Sequence, residues 1–300
     1  MLAIIIPYYK LTFFAQTLES LANQTDKHFT VYIGNDASPE DPSDLLKKYN
    51  GKFDFVYYRF ESNLGGISLT QQWYRCIDMT GDEEWIMILG DDDVLGESVV
   101  ASWHKNYDTF STKSNVVRFA TKIVNEKSGK ISEAYLQPKN EKATDSYFRK
   151  LKGLTRSSLS EYVFSKESYL SNGFSNYPLA WHSDDKAWID FSEDKPIYSI
   201  NEAIVFVRIS SSSITGKLDN EDVKNGVSIQ FLKDLILKKS KAFEKAQLIE
   251  LLLEFERAIK KSRKLNLKEW LFLMPLYLKH FKLISFLKYC RRFVISIFNL

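Results

Sequence analysis

Apolar and polar residues come in blocks along the first part of the chain. Residues 3–6, Ala-Ile-Ile-Ile, form a continuous apolar run ended by Pro7, the pattern of a parallel strand buried on both faces. Phe13, Phe14, Leu18, Leu21 and Ala22 then recur at helical spacing and stop near Asn23-Gln24. The alternation repeats: a strand at 29–33 with exit loop 34–39, a helix at about 41–49, a strand at about 53–59, a break at Asn63-Leu64-Gly65-Gly66, a helix to about Met79 and a strand at 85–89. Four strands alternating with helices predict parallel βαβ units, hence an α/β, doubly wound sheet whose ligand loops lie at the strand carboxyl ends.

The unusual side chains fall on those loops. Tyr8, Tyr9, Asp36, Asn63, Gly65 and Asp91-Asp92-Asp93 would face one crevice although they are dispersed in sequence. Three adjacent carboxylates repel one another by about 1 kcal/mol per neighbour even at a solvated surface, so a cation belongs among them. Hard oxygen ligands suit Mg²⁺ or Mn²⁺; a solvated acidic turn is the plainer alternative. A calcium EF-hand loop is excluded because its glycine and closing glutamate are missing, and neither a Walker lysine motif nor G-x-G-x-x-G occurs.

A helix at about 97–110 and a strand at 115–121 continue the sheet, and the polar stretch from Asn125 to Arg156 then loses periodicity, which predicts a mobile loop or lid. Order resumes at Leu159–Phe164 and in a short helix capped by Ser165. Trp181-His182-Ser183-Asp184-Asp185-Lys186-Ala187-Trp188 sets an acidic pair between tryptophans at a helix start, Ile204–Ile209 is the last strand, and Ser210–Ser213 is its polar exit.

From about Glu221 the pattern is helical and increasingly basic. No acid follows Glu269, while Lys279, Lys282, Lys288, Arg291 and Arg292 are interleaved with Trp270, Phe272, Tyr277, Phe281, Phe286, Tyr289, Phe293 and Phe298. No uncharged run approaches the roughly 18–20 residues that span a bilayer. Aromatic, cationic, non-spanning helices suit an anionic membrane surface; a core-packing helix with a solvated basic face is the alternative.

Composition narrows the field. The 300 residues are 44% hydrophobic, ample for a core, and the formal charge of +3 argues against a nucleic-acid partner. Cys76 and Cys290 are far apart with no CxxC pair, so neither a disulfide framework nor a zinc site is indicated and a reducing compartment fits. The N-terminus has no basic leader and reads as the first strand of a cytoplasmic protein.

Five motifs acquire meaning together: residues 4–9 (Ile-Ile-Ile-Pro-Tyr-Tyr), residues 18–25 (Leu-Glu-Ser-Leu-Ala-Asn-Gln-Thr), residues 35–38 (Asn-Asp-Ala-Ser), residues 63–66 (Asn-Leu-Gly-Gly) and Asp91-Asp92-Asp93. Their order and spacing over about the first hundred residues resemble the family 2 glycosyltransferases of GT-A fold. The resemblance implies a domain at 1–215, with its nucleotide-binding half at 1–100 and its acceptor side at 101–215, and a helical, basic amphipathic extension at 216–300.

It also implies roles. Pro7, Tyr9, Asp36, Asn63, Gly65 and Asp91 would bind the donor, with Tyr9 stacking on the base, Asp36 accepting a hydrogen bond from uracil N3–H, Gly65 and Gly66 admitting the donor closely, and Asp91 meeting the ribose. Asp92 is the favoured metal ligand; the competing register pairs Asp91 with Asp93, so Asp92 and Asp93 are both candidates. Where the family often offers a histidine to the metal, this chain has Arg208. Asp185 would be the catalytic base with Asp184 in reserve, Trp181 and Trp188 would stack on sugars, raise the carboxylate pKa or pack in the core, and His182 is a bystander.

The implied activity is inverting, metal-dependent hexosyl transfer, using Mg²⁺ or Mn²⁺, from a nucleotide-sugar donor (a UDP-sugar) to a glycan or lipid-linked acceptor. Its setting would be bacterial surface-polysaccharide synthesis at the inner face of the plasma membrane. The alternatives are a non-catalytic carbohydrate-binding or scaffold protein and a sugar-nucleotide pyrophosphorylase, whose glycine-rich N-terminal loop Pro7-Tyr8-Tyr9-Lys10 lacks.

Overall fold

The structure, a computed structural model, describes the chain apart from residues 212, 217, 218, 281, 299 and 300 and the side chains of residues 297 and 298. Ser212 of the polar exit, Phe281 and the Phe298 side chain thus lie outside the described residues. The chain forms two compact units, Met1–Lys217 and Leu218–Leu300.

The first unit runs β1 (Leu2–Tyr8), α1 (Phe14–Ala22), β2 (Phe29–Asn35), α2 (Ser43–Lys47), β3 (Asp54–Arg59), α3 (Leu69–Ile77), β4 (Trp85–Ile88), β5 (Val94–Leu95) and α4 (Val99–Phe110). It continues through β6 (Val116–Asn125), β7 (Lys130–Ile131), β8 (Asn140–Glu141), α5 (Ala143–Leu151), β9 (Tyr162–Ser165), α6 (Lys166–Asn172), α7 (Ser183–Ser192) and β10 (Ile197–Ile209). The strand order is β3-β2-β1-β4-β9-β6-β10-β5, with β7 beside β6 and β8 beside β10.

β1 pairs in parallel with β2 and β4, and β2 with β3. Every β1 residue except Pro7 is buried, which is why its sequence is a solid apolar run. β3, at the sheet edge, alternates Val56 and Tyr58 outward with Phe55 and Tyr57 inward. The half after β4 is mixed, because β9 enters antiparallel between β4 and β6. Reversal of β9 brings the segment before it, residues 156–161, to the end of the sheet where β4 delivers the acid triplet.

The stretch from Asn125 to Arg156 is not a loop without structure: it holds β7, β8 and α5. Arg118 on β6, fully buried, donates to the Glu141 carboxylate at 2.8 Å and to the hydroxyls of Ser146 and Ser199. Arg149 reaches the other Glu141 oxygen at 3.0 Å. α5 is thus tied to β6 and β8 by an ion network as well as by its own buried face, which includes Ala143 and Tyr147. An anchored charge of this kind is stable because every partner is satisfied.

The second unit consists of α8 (Glu221–Lys238), α9 (Lys245–Ser262), α10 (Leu267–Lys279) and α11 (Leu283–Phe298). Its core includes Phe231, Leu235, Leu252, Phe255, Trp270, Leu273, Tyr277 and Tyr289. Glu256, buried on α9, accepts from Tyr277 Oη at 2.9 Å and from Arg292 Nε and Nη2 at 2.8 Å each, while Tyr289 Oη donates to the Trp270 carbonyl at 2.6 Å. Trp270, Tyr277 and Tyr289 are therefore core residues and not the membrane anchors the sequence pattern allowed: a ring with a polar tip finds its partner inside the unit. What the unit exposes is aliphatic, with Leu267, Leu271 and Leu278 on α10 and Leu283, Ile284, Leu287, Val294 and Ile295 on α11. Among the described residues no helix is long and apolar enough to cross a membrane.

Candidate active site

Asp91, Asp92 and Asp93 leave β4 in a tight turn and divide their tasks. Asp91 Oδ2 accepts the backbone N–H groups of Tyr9 and Lys10, both at 2.8 Å, tying the exit of β1 to the exit of β4. Burial, against those bonds, raises its carboxyl to about 6. Asp93 is buried; its Oδ1 accepts the Arg208 backbone N–H at 2.8 Å and its Oδ2 the Ser160 hydroxyl. Burial and then the neighbouring Asp92 charge raise it to about 7. Both Asp93 oxygens thus accept bonds that stitch β10 and the 156–161 segment to the triplet. Asp92 contributes its carbonyl to Arg208 Nε at 3.1 Å, and its carboxylate is raised by burial against the lowering charges of Lys10 and Arg208.

The donor-side loops converge beside this turn. Tyr8, the last residue of β1, is buried with its hydroxyl donating to the Glu40 carbonyl, and Tyr9, just past the strand, is 36% exposed. Pro7, half-buried, stays in register with Gly34 of β2. Asp36, buried just past β2, accepts the N–H of Leu64 at 2.7 Å and of Gly65 at 2.9 Å, together with the Arg75 guanidinium. Its carboxyl is nevertheless raised, because burial outweighs those bonds. Asp36 therefore pins the 63–66 loop, a variant of the turn-holding role open to such a residue. A Cβ on Gly65 would lie 2.5 Å from Asp36 Oδ2, so what approaches Gly65 closely here is the carboxylate. Asn63 Oδ1 caps the same loop through the Gly66 N–H at 2.6 Å.

The second acid cluster opens α7. Leu179, Ala180 and His182 have φ of 59°, 50° and 64°, left-handed conformations that cost L-residues about 1–3 kcal/mol each and gather at functional sites. Asp185 is buried, and Lys150 Nζ on α5 donates to both its oxygens at 2.6 and 2.8 Å while His182 Nδ1 lies 2.8 Å from Oδ2. Burial favours the neutral acid, but the Lys150 charge and the His182 bond overcome it and hold Asp185 far below the usual carboxylate range. The space beside it is a cavity of about 10 Å³, room for one water. Asp184 is half-exposed and accepts the Asp185 N–H at 2.9 Å; burial and the Asp185 charge raise it to about 6. The two acids thus sit differently: Asp185 is clamped by Lys150 and His182, and Asp184 is the half-exposed member of the pair. Trp188 is core, stacked 4.2 Å from Tyr162, and Trp181 is half-buried.

Short links join the two clusters. Ser160 and Arg156 act on Asp93, Ser157 meets the Tyr162 hydroxyl at 3.0 Å, and Tyr162 carries the stack to α7. Asn176, shortly before α7, accepts from Ser68 and Thr70 at the head of α3, both at 2.8 Å. Sequence reasoning missed Arg75, Lys150, Arg156 and Ser160, and His182, read as a bystander, turns out to contact Asp185. Lone basic residues in helical stretches look like solvated surface until their distant partners are known.

The profile of glycosyl transferase family 2 matches residues 3–157, just over half of the chain. The chain belongs to that family. No curated protein sequence matches it. As a family 2 glycosyltransferase it is similar in fold to S. aureus TarS. A crystal structure of TarS 1–349 in complex with UDP-GlcNAc aligns with TM-score 0.66 and 15% identity, covering 98% of this chain and 81% of that one. The same fragment in complex with UDP gives 0.63 and 16%, covering 91% and 78%, and a further TarS structure gives 0.62 and 15%, covering 95% and 50%. At such identity the likeness bears on fold alone.

Among the described residues of this glycosyltransferase, no three His, Cys, Asp or Glu side chains form a group that could hold a metal ion. A hard cation of the Mg²⁺ type nevertheless needs only one or two carboxylates when substrate phosphates and waters complete its shell. Asp92 fits that shared arrangement, whereas a cage made by the protein alone does not.

Proposed function

We propose that this glycosyltransferase moves a hexose from a UDP-sugar to a hydroxyl of a glycan or lipid-linked glycan, with inversion at the anomeric carbon. The observation that carries the reading is the Asp91 clamp on Tyr9 and Lys10, which gathers the outward tyrosine and the acid triplet at one mouth of the sheet. The TarS complexes with UDP-GlcNAc and UDP, which share the fold, support UDP as the nucleotide.

In this reading Tyr9 stacks on the base, Asp36 and Arg75 meet its polar edge as acceptor and donor, and the second oxygen of Asp91 takes a ribose hydroxyl. Asp92 is the carboxylate that would hold Mg²⁺ or Mn²⁺ jointly with the donor, and Asp93 positions the loop. A bound divalent ion would supply charge against the departing diphosphate. Asp184 removes the proton from the acceptor hydroxyl as its oxygen bonds to the anomeric carbon. The bond from that carbon to the diphosphate breaks and UDP leaves with the electron pair. Asp185 keeps Lys150 and His182 in place around it.

Titration with UDP tests the donor half. Wild type is expected to bind one UDP per chain. Gly65→Ala, which pushes the Asp36 carboxylate off its seat, should weaken binding by about 10–100-fold. Gly66→Ala, whose Cβ would meet only the exposed Asn63 side chain, should do little. Unaltered UDP affinity in Gly65→Ala would contradict this use of Asp36.

The setting we propose is bacterial surface-polysaccharide synthesis, with the protein held peripherally on the cytoplasmic leaflet by its second unit. Support comes from α11, where Ile284, Leu287, Val294 and Ile295 are exposed among Lys288 and Arg291 with no acid, the composition of an interfacial helix. Arg292 is committed to Glu256. Cations near an anionic surface contribute about 1 kcal/mol each, so replacing Lys282, Lys288 and Arg291 by glutamine should reduce binding to anionic vesicles by about 100-fold. Truncation would be a poor test, since it strands Glu256. Equal binding of wild type to neutral and anionic vesicles, or to neither, would remove the membrane from the proposal.

A further inference from the structure

Arg208 is fixed by contacts to the acid triplet on one side and to Phe13 and Gln16 of the α1 region on the other. Its backbone N–H bonds Asp93 Oδ1 at 2.8 Å, its Nε bonds the Asp92 carbonyl at 3.1 Å, its Nη2 bonds Gln16 Oε1 on α1 at 2.6 Å, and its guanidinium lies 4.1 Å from the centre of the Phe13 ring. Nη1 makes none of these bonds. The group is half-buried, and with Lys10 it supplies positive charge that favours the ionised Asp92 carboxylate. A guanidinium held this rigidly loses little freedom when its remaining N–H groups meet phosphate oxygens.

The surroundings lack what a protein-built metal site requires. Asp93 has both oxygens engaged, Asp91 is spent partly on the β1 exit, and no third ligand group stands nearby among the described residues. A divalent ion on Asp92 alone would also face the positive charge of Arg208. We propose that Arg208 binds the donor diphosphate directly and takes over the share of charge that a third metal ligand would otherwise secure, so that nucleoside diphosphate binds this site appreciably without a divalent ion. The inference rests on the UDP-sugar reading above.

The test is calorimetric titration of the full-length protein with UDP, in EDTA and in Mn²⁺, for wild type, Arg208→Gln, Arg208→Lys and Arg208→His, each checked for an unchanged melting temperature. Wild type is expected to bind UDP in EDTA within about tenfold of its affinity in Mn²⁺, and Arg208→Gln to lose about 10–100-fold in EDTA, the range of a charge-assisted phosphate contact. Arg208→Lys, a point charge without the fork, should fall between them. Arg208→His should bind UDP weakly in EDTA and regain affinity with Mn²⁺, because an imidazole ligates a metal that a guanidinium repels. Wild-type binding that is present in Mn²⁺ and absent in EDTA would overturn the role of Arg208 alone, as would metal-free binding that survives Arg208→Gln and Arg208→Lys undiminished. No wild-type binding in either buffer would overturn the donor reading and this inference with it. If Arg208→Gln melts early, the Lys and His variants, which keep a basic side chain, decide the outcome.

Discussion

The Asp92→Asn variant is expected to fold normally and to lose sugar transfer by about 10²–10³-fold, the usual worth of one group placed against developing charge. The division of labour in the triplet makes the forecast specific. The side-chain bonds that stitch the loops use Asp91 and Asp93, and Arg208 takes the Asp92 carbonyl. An amide at position 92 therefore leaves the stitching intact and removes one hard anionic oxygen. UDP affinity should stop responding to Mg²⁺ or Mn²⁺ in this variant, while the metal-free part assigned to Arg208 persists. Asp93→Asn should instead lower the melting temperature, because it disturbs the bonds from Arg208 and Ser160. Full transfer by Asp92→Asn, or a wild-type rate indifferent to chelator, would remove the metal from the mechanism.

The Asp184→Asn variant should lose about 10²–10⁴-fold in kcat, the contribution of a positioned base, with UDP affinity unchanged. A base works only when ionised, so activity should rise with pH through the pKa of the acid pair. Burial and the Asp185 charge place Asp184 at about 6, and an ascending limb of kcat/KM near pH 6 is therefore expected in wild type and absent in Asp184→Asn. Because the carboxylates interact, that limb belongs to the pair. Asp185→Asn should behave differently. It deprives Lys150 and His182 of their shared partner, which costs about 1–3 kcal/mol of stability and shows as a lower melting temperature. If Asp185→Asn instead keeps its stability and loses only kcat, while Asp184→Asn is silent, the two residues exchange roles.

What could be read in advance follows from where the information sits. β1, β2 and β4 were legible because a strand covered on both faces has little polar choice, although β1 runs through Pro7, read as its end, to Tyr8. The loops of the donor side were legible as residue types, since only glycine tolerates the Asp36 carboxylate against Gly65. Their partners were not, because Arg75 reaches Asp36 from α3, 39 positions along the chain. α5 was hidden because its buried face is mixed, with Thr144 and Ser146 beside Ala143 and Tyr147, and because the Arg118, Glu141 and Arg149 that tie it down read as solvent-facing. The surroundings of the acidic pair were beyond a linear reading, since Lys150, which clamps Asp185, is separated from it by 35 positions. In the second unit, composition identified a basic, aromatic helix pair correctly but could not say that Glu256 draws Tyr277 and Arg292 inward and leaves leucine and isoleucine outside.

The central claim is that one sheet end carries both a nucleotide-sugar seat and the base that completes transfer. Nucleoside diphosphate release, measured on the purified protein with a panel of nucleotide sugars and glycan acceptors, tests it most directly. The expected result is acceptor-stimulated release of UDP from at least one UDP-sugar, depressed at least a hundredfold by Asp184→Asn at unchanged UDP affinity. Contradiction would be a protein that binds UDP yet releases none from any donor with any acceptor, or whose release is the same in wild type, Asp184→Asn and Asp185→Asn.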